Sequence, residues 1–199
     1  MSFYGFARFI LTPLFKIFLR IKVEGYENFP AEGGFVVCGN HVSFLDPFMV
    51  AYKVKRRMSF MAKEEIFKTI LKWPVTWLGG FSVNRGGADV SAIRQAIDIV
   101  RDGSCLLIFP EGTRSKDGKI GDFKTGGALI AIKTKADIIP VSIKIKNNKL
   151  RFFAKIHIKF GEILENPLKT SGKERLSGAE SRAFMEKIRE SVVALNESL

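Results

Sequence analysis

Short apolar runs alternate with helix-forming segments along most of this 199-residue chain. The apolar runs predict strands at 35–38, 58–62, 81–83, 104–109, 138–145 and 151–160, with a turn near 147–148. Helices are predicted from about 46, over 64–71, 90–100 and 126–135, and at the C-terminal end. A chain that returns to a strand after each helix favours an α/β layered fold, with a mostly parallel or mixed central sheet flanked by helices.

The domain organisation follows from length and from the first twenty-two residues. Residues 23–199 are predicted to form a single domain, and 1–22 an N-terminal amphipathic helical segment that Pro13 kinks. Arg8, Lys16 and Arg20 form a basic stripe opposite apolar side chains, as in a helix that lies at a membrane interface. The alternative is a helix packed on the core with its basic face in water.

The net charge narrows the classes of molecule that the protein could bind. The formal charge of +12 attracts anionic lipid, nucleic acid or an acidic protein. Residues 9–15, an uncharged stretch of the N-terminal segment, are far too few for a membrane span of about 20 residues. Since no secretory signal is recognisable either, we expect a protein that stays in the cytoplasm and binds the membrane from that face. No RNA-stacking, zinc-finger or helix-turn-helix motif occurs, and no nucleic-acid partner is expected.

The two cysteines and two histidines do not form a metal-binding pattern. Cys38 and Cys105 lie in separate apolar runs, so no metal site is predicted. Cys38 is considered as a nucleophile activated by His41, but an apolar neighbourhood favours a small buried hydrophobe.

His41 and Asp46 form the most chemically informative pair. A neutral imidazole accepts a proton near pH 7, and a carboxylate on its other ring nitrogen fixes the tautomer. A spacing of five does not share a helix face, so the two side chains meet only if a turn folds the chain back. Asp46 before Pro47 indicates such a turn at a helix start. The alternative is that Asp46 only caps that helix and His41 is an ordinary loop residue.

Three charged motifs follow predicted strands. His41, Arg85 and Glu111–Arg114 each come just after an apolar run, and the carboxyl ends of parallel strands share one edge of a sheet. Arg85, Arg114 and Lys124 are candidate phosphate ligands, since arginine binds phosphate in a bidentate manner. For any one of these cations the alternative is a solvated surface charge.

The ordered set of motifs identifies a family resemblance. Residues 39–47, 80–85, 109–115 and 138–143 read GNHVSFLDP, GFSVNR, FPEGTRS and IIPVSI. This set resembles the lysophospholipid and glycerol-phosphate acyltransferase family, bacterial 1-acyl-glycerol-3-phosphate acyltransferases in particular, over roughly residues 20–165.

The resemblance implies a direct acyl transfer. His41 is then the general base and Asp46 its orienting partner, and the acceptor hydroxyl attacks an acyl thioester without a metal, a cofactor or a covalent acyl-enzyme. The implied substrate-binding residues are Ser43, Arg85, Glu111, Gly112, Thr113, Arg114 and Lys124. The expected partners are a lysophospholipid, acyl-coenzyme A or acyl carrier protein as donor, and an anionic membrane surface.

Several alternatives stay open at this point. The acceptor could instead be glycerol-3-phosphate or another lysophospholipid, and a basic non-enzymatic binding module is a third reading. Glu111 either binds the glycerol hydroxyls or buttresses Arg114 and its loop. Backbone N–H groups near Gly39 or Gly112 are the candidates for stabilising an oxyanion.

Overall fold

A computed structural model describes residues 5, 9, 12, 13, 15, 17–84 and 89–199. The seven strands are β1 (Arg20–Glu24), β2 (Phe35–Gly39), β3 (Met58–Lys63), β4 (Gly80–Val83), β5 (Cys105–Ile108), β6 (Ile138–Ile145) and β7 (Lys155–Phe160). The helices are α1 (Asp46–Ala51), α2 (Lys72–Trp77), α3 (Val90–Arg101), α4 (Gly126–Thr134), α5 (Pro167–Thr170) and α6 (Gly178–Glu197). Short 3₁₀ turns cover Tyr26–Asn28, Glu64–Lys68 and Lys146–Asn148.

All seven strands form one mostly parallel sheet, in the order β1-β7-β6-β2-β5-β3-β4. Strands β2 to β6 run parallel to one another, whereas β7 returns antiparallel to β6 and β1 pairs parallel with β7. The α/β fold with a largely parallel sheet is therefore confirmed. Strand β1 was not predicted, and the predicted domain boundary after residue 22 falls inside it.

The sheet separates two apolar cores. Strand β2 is buried on both faces, so Phe35 and Val37 enter one core while Val36 and Cys38 enter the other. Helices α1 and α2 cover the first core, and α3, α4 and α6 cover the second. This two-sided burial explains why the central strands read as continuous apolar runs and not as alternating ones.

Two predicted elements are shorter than the sequence indicated. The helix predicted over 64–71 is a 3₁₀ turn that ends at Lys68, because Thr69 is extended and its hydroxyl bonds to the Ile66 carbonyl. The strand predicted from 151 begins at Lys155, because a turn closes between the Ala154 N–H and the Arg151 carbonyl.

Asp89 caps α3 and also accepts a hydrogen bond from Asn84, the residue that follows β4. Its carboxylate accepts from the N–H of Ala92 at 3.0 Å, from the Ser91 hydroxyl at 2.6 Å and from the N–H of Asn84 at 2.8 Å. These hydrogen bonds hold the pKa of Asp89 down to about 2. The end of β4 and the start of α3 are thus joined by one side chain.

We predict that Asp89→Ala lowers the melting temperature by about 2–4 °C, the usual effect of losing a helix cap in a domain of this size. Asp89→Asn keeps a capping oxygen and should lose less. Thermal denaturation of the three proteins at neutral pH measures this, and an unchanged melting temperature for Asp89→Ala would contradict the capping role.

Candidate active site

The side chains of His41 and Asp46 meet directly. Nδ1 of His41 lies 2.7 Å from Oδ2 of Asp46, and the same oxygen accepts from the N–H groups of Val42 at 2.7 Å and Ser43 at 2.8 Å. The chain folds back as the sequence predicted, since the Asp46 N–H also donates to the Ser43 carbonyl. One carboxylate oxygen therefore organises both the turn and the imidazole.

The Asp46 carboxylate is fully buried, so its lost hydration must be compensated. Its side chain has no solvent exposure, and its second oxygen, Oδ1, has no hydrogen-bond partner among the residues that the structure describes. A buried charge is tolerated only where hydrogen bonds compensate for lost hydration, and here all three fall on Oδ2. With Asp46 ionised, Nδ1–H of His41 donates, so the lone pair of the neutral ring lies on Nε2.

A second loop holds the backbone of His41 from both sides. Oε1 of Glu111 accepts from the His41 N–H at 2.8 Å, and the Ser115 N–H donates to the His41 carbonyl at 2.8 Å. Oε2 of Glu111 accepts from the Gly121 N–H at 3.1 Å. The Glu111 carboxylate thus supports the histidine and its own loop, which is the geometry of a buttress, although toward His41 and not toward Arg114.

Asn40 fixes the position from which His41 leaves the sheet. Its side-chain amide donates to the Ile143 carbonyl at 2.9 Å and accepts from the Ile143 N–H at 2.8 Å. These two bonds continue the pairing of β2 with β6 beyond the last strand residue, Gly39. Gly39 has no room for a side chain, since a Cβ would lie 2.6 Å from Cγ1 of Val141.

The imidazole faces an apolar cavity. Its ring stacks on Phe109, with centroids 4.3 Å apart and planes 11° from parallel, and the His41 side chain is 11% exposed. The adjoining cavity measures about 280 Å³. Its lining consists of aromatic and aliphatic side chains with two cations at its margin: His41, Phe44, Pro47, Phe48, Phe60, Met61, Ala62, Lys63, Ile66, Val75, Phe109 and Arg114.

Several lining residues carry no signal in the sequence motifs. Phe48 belongs to α1, Phe60 and Ala62 to β3, and Val75 to α2, so three separate elements supply the apolar wall. Their apolar character indicated only burial. The shared face became evident once β3 was placed beside β5 and α2 was packed over it.

The predicted phosphate ligands differ in where they lie relative to the cavity. Arg114 is exposed and lines the cavity that His41 faces. Lys124 lies next to the loop that carries Gly112 and Arg114. A Cβ atom on Gly112 would lie 3.1 Å from Nζ of Lys124. Thr113 is exposed between Gly112 and Arg114. Arg85, the third candidate cation, lies outside the described residues.

Three further features named in the sequence analysis can be located in the structure. Gly112 adopts a left-handed φ of 72°, and its N–H donates to the Phe109 carbonyl, which argues against this N–H as an oxyanion donor. Burial raises the pKa of the Cys38 thiol well above its usual range, so Cys38 is poorly suited to act as a nucleophile. No group of three or more potential His, Cys, Asp or Glu metal ligands occurs in the part of the chain that the structure describes.

The buried His41–Asp46 pair faces a cleft of apolar and cationic side chains, and such an arrangement is chemically able to accept a proton from a hydroxyl. A family model described as Acyltransferase matches residues 20–144, which is more than half of the chain. The chain therefore belongs to the acyltransferase family.

Curated relatives carry a more specific name. A 1-acyl-sn-glycerol-3-phosphate acyltransferase of Borreliella burgdorferi is 31% identical over 158 residues, covering 78% of this chain and 62% of the relative. One from Bacillus subtilis is 28% identical over 197 residues, covering 94% of this chain and 96% of the relative. A chloroplastic one from Arabidopsis thaliana is 32% identical over 130 residues, covering 63% of this chain. The chain spans 36% of that plant relative, so the shared region is only part of some longer members.

A solved structure is similar over nearly the whole chain. The 1-acyl-sn-glycerophosphate acyltransferase of Thermotoga maritima superposes with a TM-score of 0.72 at 31% sequence identity. The match covers 98% of this chain and 78% of that one. The seven-stranded sheet and its flanking helices are therefore the fold of this family.

We predict that His41→Ala lowers turnover by about 10²–10⁴-fold, the usual contribution of a positioned proton acceptor. Asp46→Asn should also lower turnover, because an amide can hold the ring in the wrong tautomer. Steady-state rates with an acyl thioester and a lysophospholipid measure both changes.

His157 provides the matched control, since it lies on β7 and does not line the cavity that His41 faces. His157→Ala should keep near-normal turnover. Near-normal turnover by a folded His41→Ala protein would refute the assignment of the base.

Proposed function

We propose that this chain is a 1-acyl-sn-glycerol-3-phosphate O-acyltransferase. It moves a fatty acyl group from an acyl thioester to the free hydroxyl of 1-acyl-glycerol-3-phosphate and gives phosphatidic acid. The observation that carries the proposal is the 2.7 Å His41–Asp46 pair, whose imidazole opens onto an apolar cavity bordered by Arg114. The names of the relatives from Borreliella burgdorferi and Bacillus subtilis support this choice of acceptor.

The reaction needs one proton acceptor and no stored intermediate on the protein. Nε2 of His41 takes the proton of the acceptor hydroxyl while the oxygen attacks the thioester carbonyl. The new C–O bond forms, the C–S bond breaks, and the leaving thiolate takes the proton from the imidazolium. Asp46 stabilises the transient positive charge on the ring through the Nδ1 hydrogen bond.

The cleft offers a separate place for each part of the substrates. The cavity wall of Phe48, Phe60, Ile66 and Val75 suits a hydrocarbon chain, because burying apolar surface is favourable and non-directional. Arg114 and Lys124 suit the phosphate of the acceptor, with Arg85 as a further candidate from its motif. Ser43 and Thr113 stay predicted substrate ligands that share the loops of these groups.

A lysophospholipid acceptor resides in a bilayer, so the proposal includes peripheral attachment at the cytoplasmic face of the membrane. The N-terminal segment supports this attachment, because some of its apolar residues are buried and others are exposed. Phe15 and Leu19 are buried in the core, whereas Phe9 is 70% exposed and Ile17 is 60% exposed. The helices that the structure describes include none long and apolar enough to cross a membrane. Of the basic stripe, Arg8 and Lys16 lie outside the described residues.

The direct test is transfer of a labelled acyl group to a panel of acceptors. The panel contains 1-acyl-glycerol-3-phosphate, glycerol-3-phosphate and a neutral lysophospholipid, each with acyl-coenzyme A and with acyl carrier protein as donor. We expect phosphatidic acid as the main product, and it should depend on His41. A strong preference for another acceptor would mean that the protein has the activity of a different member of the family. Thioester consumption that does not depend on His41 would refute the mechanism.

We predict that Arg114→Ala raises the KM of the acceptor more than that of the donor. The loss should be about 1.5–3 kcal/mol, the value of a hydrogen bond to a charged group. An uncharged monoacylglycerol should be a poor acceptor for the wild type and lose little further in the variant.

Arg101→Ala is the matched control, because Arg101 is exposed at the end of α3, at the opposite edge of the sheet. Its kinetic constants should not change. Equal losses on phosphate-bearing and phosphate-free acceptors would make Arg114 a structural residue.

We predict that Ala62→Leu shifts the donor preference toward shorter acyl chains. Ala62 is buried in β3 and lines the cavity, so a larger side chain there removes volume that a long chain would occupy. The ratio of kcat/KM for a short-chain and a long-chain thioester measures the shift, and an unchanged ratio would place the acyl chain elsewhere.

A further inference from the structure

An exposed apolar cluster lies where the β6–β7 connection meets the N-terminal segment. We call Ile17, Phe18, Phe152 and Phe153 the aromatic tip. Phe152 is 73% exposed, Phe153 59% and Ile17 60%. The rings of Phe18 and Phe152 pack edge to face with centroids 5.5 Å apart, and the Phe153 N–H donates to the Phe18 carbonyl at 2.7 Å. Large apolar side chains that are ordered by one another and still exposed mark an interaction surface.

The backbone of the aromatic tip is strained. Phe153 has φ 60°, a left-handed conformation that bulky residues rarely adopt and that asparagine or glycine adopts readily. A folding role does not explain phenylalanine at this position, because its side chain is mostly exposed. Strain of this kind is retained where a function needs the side chain.

Positive charge surrounds the aromatic tip. Residues 142–161 contain six Lys and Arg and no Asp or Glu. Lys149 and Arg151 are exposed within the connection itself, and Arg20 pairs with Lys155 in register across β1 and β7 directly beside it. Exposed aromatics within a field of cations complement the surface of an anionic bilayer, which offers an apolar interior beneath negative headgroups.

The aromatic tip projects from the same sheet edge as His41. Gly39, the last residue of β2, is in register with Val141, and β6 continues four residues further to Ile145. At about 3.3 Å per residue the hairpin therefore extends roughly 13 Å past the end of β2. The connection also contacts the loop of Arg114, since the Asn148 amide donates to the Asp117 carbonyl at 2.5 Å.

We propose that the aromatic tip is a membrane contact in its own right, which seats Phe152 and Phe153 in the interfacial region of an anionic bilayer. Its role in presenting a lipid acceptor to His41 rests on the proposed function. The lipid surface is chosen over a protein partner because the tip joins apolar and basic residues with no acidic residue among them. Together with the N-terminal segment it directs the His41 edge toward the membrane.

Phe153→Asn separates binding from folding. Asparagine suits the left-handed backbone, so the melting temperature should stay constant or rise. Binding to vesicles of phosphatidylcholine with one third phosphatidylglycerol should fall about tenfold, because one interfacial aromatic side chain is lost. Co-sedimentation measures the binding. Wild-type vesicle affinity in a folded Phe153→Asn protein would overturn the proposal, as would conversion of a dimer to a monomer, which would make the tip a contact between copies.

The charge contribution has its own matched pair. Lys149→Gln with Arg151→Gln should weaken binding to the anionic vesicles at least about fivefold, and high salt should reduce the difference. Arg101→Gln with Lys133→Gln removes the same charge from exposed helix ends at the opposite edge and should bind as the wild type does. Equal losses in the two pairs would reduce the effect to net charge and overturn the proposal.

Failure of this inference differs from failure of the proposed function. Vesicle binding is measured without an acyl donor, so its outcome does not depend on catalysis. The Phe153→Asn protein should match the wild type in activity on a short-chain lysophosphatidic acid that is dispersed below its micellar concentration. Its activity on an acceptor held in the phosphatidylcholine–phosphatidylglycerol vesicles should fall. A wild type inactive on every acceptor would refute the function, and the binding result would still decide the aromatic tip.

Discussion

The site depends on one buried carboxylate. Oδ2 of Asp46 accepts from the His41 ring and from two backbone N–H groups, at 2.7–2.8 Å, with no exposure to water. These bonds couple the turn to the orientation of the His41 ring. Loss of any one of the three donors would leave a buried charge with less compensation in an apolar environment. The helix that begins at Asp46 holds the carboxylate, and the turn brings His41 to it.

The rest of the edge is built around that histidine. Glu111 and Ser115 hold its two backbone groups from the loop after β5, while Asn40 fastens the preceding residue to β6. The His41 imidazole is therefore positioned by three neighbouring strands and by its own turn. Rigid placement matters in acyl transfer, because the proton acceptor must lie within hydrogen-bond reach of a hydroxyl that arrives with its lipid. The apolar cavity and the adjoining Arg114 match the hydrocarbon and phosphate parts of the proposed acceptor.

The prediction from sequence succeeded where the signal was local. The five-residue spacing of His41 and Asp46, interrupted before Pro47, was enough to predict a turn that joins them. Strand positions followed from apolar runs that are buried on both faces. Prediction was weaker where one side chain overrode a pattern: Thr69 ended a predicted helix, and the turn before Lys155 shortened a predicted strand. Strand β1 was missed because its residues alternate charged and apolar within what read as the end of a helix.

The sequence by itself determined the fold class, the order of the motifs and the pairing of His41 with Asp46, since each depends on the spacing of nearby residues. Only the tertiary structure decided that Glu111 supports His41, a contact across 70 positions of sequence. It also decided that β3 and α2 complete the apolar wall and that the β6–β7 connection reaches, beside Phe18, past the sheet edge that carries His41. The physical reason is the same in each case: contacts between distant segments arise from strand order and register, which local patterns of polarity do not encode.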